Sequence, residues 1–162
     1  MGGVQHSTFL LIEQIIKDKT ADVRIVLPGE GRFTRLCQEK EIPYSTYHKI
    51  PYVSTSVSWF NDRLRIPNLF AWVFNIYAIL INSIRIKKIV EQHLPHLIIT
   101  KGLHSHFSAG IACKSLNLPV VWHLQDLISQ RYCGILDSIF NYIAKKIPDH
   151  IICDGKVILD SL

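Results

Sequence analysis

Four short apolar runs, each bounded by proline, glycine or a charged residue, constrain this chain most: Asp22–Pro28, His96–Thr100, Pro119–Leu124 and His150–Cys153. Most of their apolar residues are consecutive rather than alternating. That is the pattern of strands covered on both faces, as in a parallel sheet. Stretches with helical spacing lie before and between them: Thr8–Ile16, Arg32–Lys40 with Phe33, Leu36 and Cys37 on one face, His104–Asn117, and Ile135–Ile147 with Ile135, Ile139, Tyr142 and Ile143 on one face. A further short strand follows Ile42 and ends near His48, and a last helix begins at Lys156. Strand and helix alternate from end to end, which predicts an α/β, Rossmann-like three-layer αβα domain with a mostly parallel sheet. The 162 residues fit one domain with a core of its own.

Two segments depart from this alternation. Lys49–Pro67 carries Ser, Thr and two prolines without a clean period and reads as a long loop. A long helix then starts at Asn68, a good N-cap residue just after Pro67, and stops near His93, before Pro95. Its first part, Leu69–Ile81, has Asn75 as its clearest polar residue and is shorter than the roughly 20 apolar residues that span a bilayer. The favoured reading is a core helix covering the sheet. The competing reading joins Trp59, Phe60, Phe70, Trp72, Phe74 and Tyr77 with Arg63, Arg65 and Arg85 as a contact for anionic lipid or a groove for a lipid-linked acceptor.

Charge and cysteine usage narrow the setting. Lys and Arg number 18 against 13 Asp and Glu, a net charge of +5, which suits an anionic partner. No nucleic-acid-binding motif accompanies the charge, so nucleic acid ranks last. Cys37, Cys113, Cys133 and Cys153 show no C-x-x-C spacing and read as free thiols in a reducing compartment. The first apolar run is broken by Glu13, Gln14 and Lys17, unlike a signal peptide. The expected location is the cytoplasm, with peripheral attachment at the inner face of the membrane as an extension of the lipid reading.

In parallel α/β sheets, ligands bind at the carboxyl ends of the strands. This chain places Gly2-Gly3, Pro28-Gly29-Glu30-Gly31, Lys101 to His106 and His123 to Asp126 on that edge. Gly2 and Gly3 run directly into the first helix, whose free N–H groups and dipole favour an anion. His123 stands at the tip of its strand, where an imidazole can donate to a sugar hydroxyl or stabilise developing charge, and Asp126 can accept from a hydroxyl. The competing reading of His123 is a packed strand-end histidine bonded to a backbone carbonyl. His104 reads as a cap or a ligand contact, and Lys101 as a phosphate partner or an ordinary turn lysine. His104, His106 and His123 lack a carboxylate or cysteine at a spacing that would support a metal.

The order of these features resembles the N-terminal domain of a family 4 glycosyltransferase of the GT-B fold. The resemblance rests on Gly2-Gly3 opening the first helix, Val23–Pro28 before a glycine-containing turn, Leu94–Thr100 followed by His104, Asn117–Asp126, and Pro148–Cys153. It implies the acceptor-side half, residues 1–162, of a retaining, metal-independent, nucleotide-sugar-dependent transferase acting on a saccharide or lipid-linked acceptor. It implies no cofactor: the donor is a substrate, held mainly by a C-terminal domain of the same protein. By position it assigns donor contact to Gly2, Gly3 and His123, with Asp126 a weaker candidate for hydroxyl recognition. Many family members carry the histidine and aspartate adjacent, whereas Leu124 and Gln125 intervene here, so either of the two can be the one that points into the cleft. The family's paired glutamates and the strand before Gly-Gly have no counterpart in this sequence. The expectation is therefore a fragment, inactive alone. The alternative function is a non-catalytic Rossmann-like module that binds a nucleotide or docks on a membrane or partner.

Overall fold

The computed structural model describes residues 3–59, 64–125 and 135–160. Helix α1 (Gly3–Asp18) leads to strand β1 (Ile25–Leu27), helix α2 (Arg32–Glu39) and strand β2 (Tyr44–Thr46). After β3 (Ser56–Trp59) and β4 (Leu64–Pro67) comes the long helix α3 (Leu69–His93). The remainder alternates as β5 (Ile98–Lys101), α4 (Leu103–Lys114), β6 (Val120–Leu124), α5 (Ile135–Ala144), β7 (His150–Cys153) and α6 (Lys156–Leu159). This is the mixed α/β, Rossmann-like architecture that the apolar runs predict.

Among the described residues, β1 and β2 form one parallel pair, and β5, β6 and β7 form a parallel sheet in that order. Register sets Lys101 beside His123 and Leu124 beside Cys153, so three strands end along one edge. The supposed loop from Lys49 to Pro67 is only partly a loop. Residues 56–59 and 64–67 within it pair as antiparallel strands, Ser56 opposite Pro67 and Trp59 opposite Leu64.

Two packed clusters hold the fold. Phe9 and Ile12 of α1 pack with Ile25, Phe33, Cys37 and Ile42 over the β1–β2 pair. The larger cluster centres on Val120, Trp122 and Leu124 of β6, covered by Ile86 and Val90 of α3, Ala112 and Cys113 of α4, and Phe140 and Ala144 of α5. The small residues of α4 do permit close approach. A Cβ at Gly110 would collide with Cγ2 of Ile147, and Trp122 Nε1 lies 3.4 Å from the same point. On α5, Ile139 and Tyr142 are exposed while Phe140 and Ala144 are buried, so the expected face is rotated.

Helix α3 starts as expected, with the Asn68 side chain accepting from the Ala71 N–H at 3.1 Å. It ends at Leu94 in the left-handed conformation, just before Pro95. Its packing differs from a plain core helix. Ala71, Ala78, Asn82, Ser83, Ile86 and Val90 are buried. Leu69, Phe70, Val73, Ile76, Tyr77, Leu80 and Ile84 are exposed, Phe70 by 79%. The polar residues of its inner side explain the orientation. Asn75 bonds both the N–H and C=O of Val53 at 2.9 Å, and Asn82 does the same for Ile50 at 2.9 and 3.1 Å. Each amide replaces a strand partner for one residue, satisfying backbone groups that packing on α3 would otherwise strand. The two asparagines thereby hold residues 50–53 along the helix and leave its apolar stripe outward. Because Asn82 and Ser83 carry no charge, the apolar stretch continues past Ile81. By length and composition alone, α3 is long enough to cross a membrane, contrary to the estimate from Leu69–Ile81.

Candidate functional site at the carboxyl edge of the sheet

His123 is the penultimate residue of β6, and its side chain is 13% exposed. Its Nε2 is hydrogen-bonded to Oδ1 of Asp154, the residue immediately after β7. The second carboxylate oxygen accepts from Gln125 Nε2 at 2.6 Å, and the same amide donates to Ser7 Oγ of α1 at 2.9 Å. One carboxylate thus ties the ends of β6 and β7 together, and Gln125 links both to the first helix. Gly3 lies one turn before Ser7, about 6 Å along the helix axis. The cluster and the start of α1 therefore share this edge.

The chemistry of these partners fixes the proton positions. An ionised carboxylate only accepts, so Nε2 of His123 carries the hydrogen and, in the neutral ring, Nδ1 carries the lone pair. By the same argument Gln125 presents its NH₂ to Asp154, leaving its carbonyl oxygen for another donor. Hydrogen bonds from Gln125 and His123 hold the Asp154 carboxyl below its usual range, with Lys101 adding to the effect. Lys101 is shifted down by burial, and Asp154 opposes that shift.

His106 stands beneath this edge on α4. It is buried, bonded through Nδ1 to Thr100 Oγ1 at 2.7 Å and stacked on Trp122 at 4.9 Å between centroids. Burial, with His123 nearby, pushes its pKa down to about 4. It is a core histidine kept neutral at ordinary pH.

His104 makes its contacts elsewhere. Gly102 rather than His104 occupies the N-cap of α4. The His104 ring stacks on Tyr52 with centroids 3.9 Å apart, and Lys49 Nζ lies 5.0 Å from the Tyr52 ring. The Tyr52 hydroxyl bonds Ser108 Oγ at 2.7 Å. Desolvation and then Lys49 lower the His104 pKa. Gly2 and Asp126 lie outside the described residues, and Gly3 is the first residue given for α1.

Asp154 is the residue that reading the sequence missed. The residues after β5 and β6 stand out as edge groups in the sequence, and the one after β7 does not. A carboxylate between Cys153 and Gly155, directly following an apolar run, was the available signal. Register then brings it beside Gln125. The competing reading of His123 as bonded to a backbone carbonyl gives way to this side-chain partner.

The fold is that of a Rossmann-like half of a GT-B structure. The chain is similar to HepE from Anabaena in complex with UDP and glucose, with a TM-score of 0.64 and 18% identity over 99% of this chain and 36% of that one. HepE in complex with UDP gives a TM-score of 0.63 at 17% identity, again over 99% and 36%. MurG from Acinetobacter baumannii gives 0.58 at 16% identity over 94% of this chain and 38% of that one. HepE and MurG are GT-B glycosyltransferases. The chain spans little more than a third of their length. No protein-family model matches the sequence, and no curated protein sequence matches it.

Proposed function

We propose that the chain is the acceptor-side domain of a retaining, family 4-like glycosyltransferase, working with a second domain of the same protein that holds most of the nucleotide-sugar. The observation that carries this reading is the His123–Asp154 pair, linked through Gln125 to Ser7 on α1 at the edge where such folds bind ligands. Asp154 orients the imidazole, so that Nδ1 is the nitrogen left to meet a sugar hydroxyl. The start of α1 behind Gly3 supplies N–H groups and a positive dipole to the charge that develops on the leaving phosphate. Gly2, His104 and Asp126 remain substrate-binding assignments made by position. The acceptor is a saccharide or a lipid-linked saccharide.

The test is sugar transfer by the full-length protein. His123→Ala is expected to lower kcat roughly 100-fold, the loss typical of removing one group that stabilises developing charge. Activity within threefold of wild type would remove His123 from the site.

The exposed stripe of α3 favours a second property, docking at the inner, cytoplasmic face of an anionic membrane. Leu69, Val73, Ile76, Tyr77, Leu80 and Ile84 recur at helical spacing and are all exposed, and exposed Lys88 continues the same side of the helix. Contiguous apolar surface of this kind marks an interaction site, and flanking lysines suit acidic headgroups. The chain is expected to float with phosphatidylserine vesicles and to remain partly bound at high salt. Val73→Glu with Leu80→Glu should return it to the soluble fraction. Flotation that high salt abolishes and the double substitution leaves unchanged would reduce the contact to net charge alone.

A further inference from the structure

Two side-chain atoms at the carboxyl edge are buried and have no hydrogen-bond partner among the described residues: Nζ of Lys101 and Oε1 of Gln125. They flank the His123–Asp154 pair, Lys101 beside His123 in the strand register and Gln125 immediately after β6. An ammonium can only donate, and the free amide oxygen can only accept. Leaving both buried and unmatched is costly, more so for the charged group. Asp154 acts on Lys101 through its charge but makes no hydrogen bond to Nζ.

We propose that these two atoms form a recognition site for an anionic monosaccharide, with a carboxylate or phosphoryl oxygen on Lys101 Nζ and a sugar hydroxyl donating to Gln125 Oε1. An acidic sugar supplies an anionic acceptor and, spaced from it on the ring, a hydroxyl donor; a neutral sugar brings no anionic oxygen, and inorganic phosphate brings no ring hydroxyl set apart from its charge. The His123 Nδ1 lone pair, next along the same edge, accepts from a second hydroxyl. This rests on the glycosyltransferase reading and deepens it: the saccharide that meets this domain is acidic, either a uronate or a sugar phosphate. The excess of basic residues in the chain agrees with such a ligand.

The experiment is direct binding to this chain, with no sugar transfer involved. Isotope-labelled protein is titrated with glucuronate, glucose 1-phosphate, glucose and inorganic phosphate, and shifts are followed by NMR. Saturable shifts at residues 101–103 and 123–125 are expected for glucuronate or glucose 1-phosphate, and whichever binds tighter identifies the anion. Glucose and phosphate should each bind at least tenfold more weakly. Lys101→Met should weaken the acidic sugars at least tenfold and leave glucose unchanged. Equal binding of glucose, equal binding of phosphate, shifts confined to other residues, or no binding would each overturn the proposal. If Lys101→Met does not fold, the wild-type titration decides by affinity order and location. Transfer of neutral sugars to neutral acceptors only, by the full-length protein, would sink this site while leaving the proposed activity intact.

Discussion

Trp122→Ala should remove about 3–5 kcal/mol from the unfolding free energy, the range found when a large aromatic is cut from a packed core. Trp122 is fully buried in the middle strand of the β5–β6–β7 sheet. Its ring stacks on His106, meets Phe107 edge-on at 6.1 Å and tilts against Phe140 at 5.5 Å. The substitution therefore opens a cavity where α4, α5 and β6 meet, and stiff neighbours such as Ile147 and Val120 cannot close it. Against a typical total of about 5–15 kcal/mol, this is enough to leave much of the protein unfolded at moderate temperature. Urea unfolding followed by circular dichroism should show a lower midpoint with an unchanged slope. Trp122→Phe should cost far less, because it keeps most of the ring and removes an indole N–H that has no partner among the described residues. A loss below about 1 kcal/mol for the alanine variant would mean that the core is not centred there.

The second large effect is in pH dependence. His106 takes up its proton near pH 6.5 in the unfolded chain and only near pH 4 in the folded one. Between these values the unfolded state binds more protons, so stability falls as the solution is acidified. The contribution is fully present above pH 6.5 and is lost as pH drops towards 4. Its size is about 3 kcal/mol, from the fall of the His106 pKa from 6.5 to about 4. Thr100 bonds the ring and His123 repels its charged form. His104 and Asp154 are also shifted down and add acid sensitivity of the same sign. His106→Gln isolates the buried ring by keeping a polar partner for Thr100 without a titrating group. Unfolding free energies measured from pH 4 to 8 should fall steeply in wild type and much less in the variant. Parallel curves would show that His106 is not the source.

The strands were readable because consecutive apolar residues have one economical fate, burial between helices. The start of α3 was readable from Asn68 after Pro67. The inner face of α3 was not, because Leu69–Ile81 is apolar nearly all round and carries little period. Asn75 and Asn82 settle it by bonding the backbone of Val53 and Ile50, a pairing that spans 22 and 32 residues. The β3–β4 pairing is not legible because its strands are four residues each, too short for alternation to emerge from the surrounding Ser, Thr and Pro. At the site, His123 could be placed from its own strand alone. Asp154 lies 31 residues later, and only the pairing of β6 with β7 makes them neighbours.

That pairing is pinned at both ends by carboxylates five residues apart. At the far end from the site, Asp149 accepts from the Val120 N–H at 2.8 Å and pairs with Lys114 at 3.2 Å, while its own N–H donates to the Val120 carbonyl. At the near end, Asp154 holds His123 and Gln125. A slip of β7 by one residue would turn its side chains to the opposite faces and detach both carboxylates at once. The separation of Asp149 and Asp154 thus works as a ruler. The alignment that satisfies both is the one that assembles the histidine with its partner.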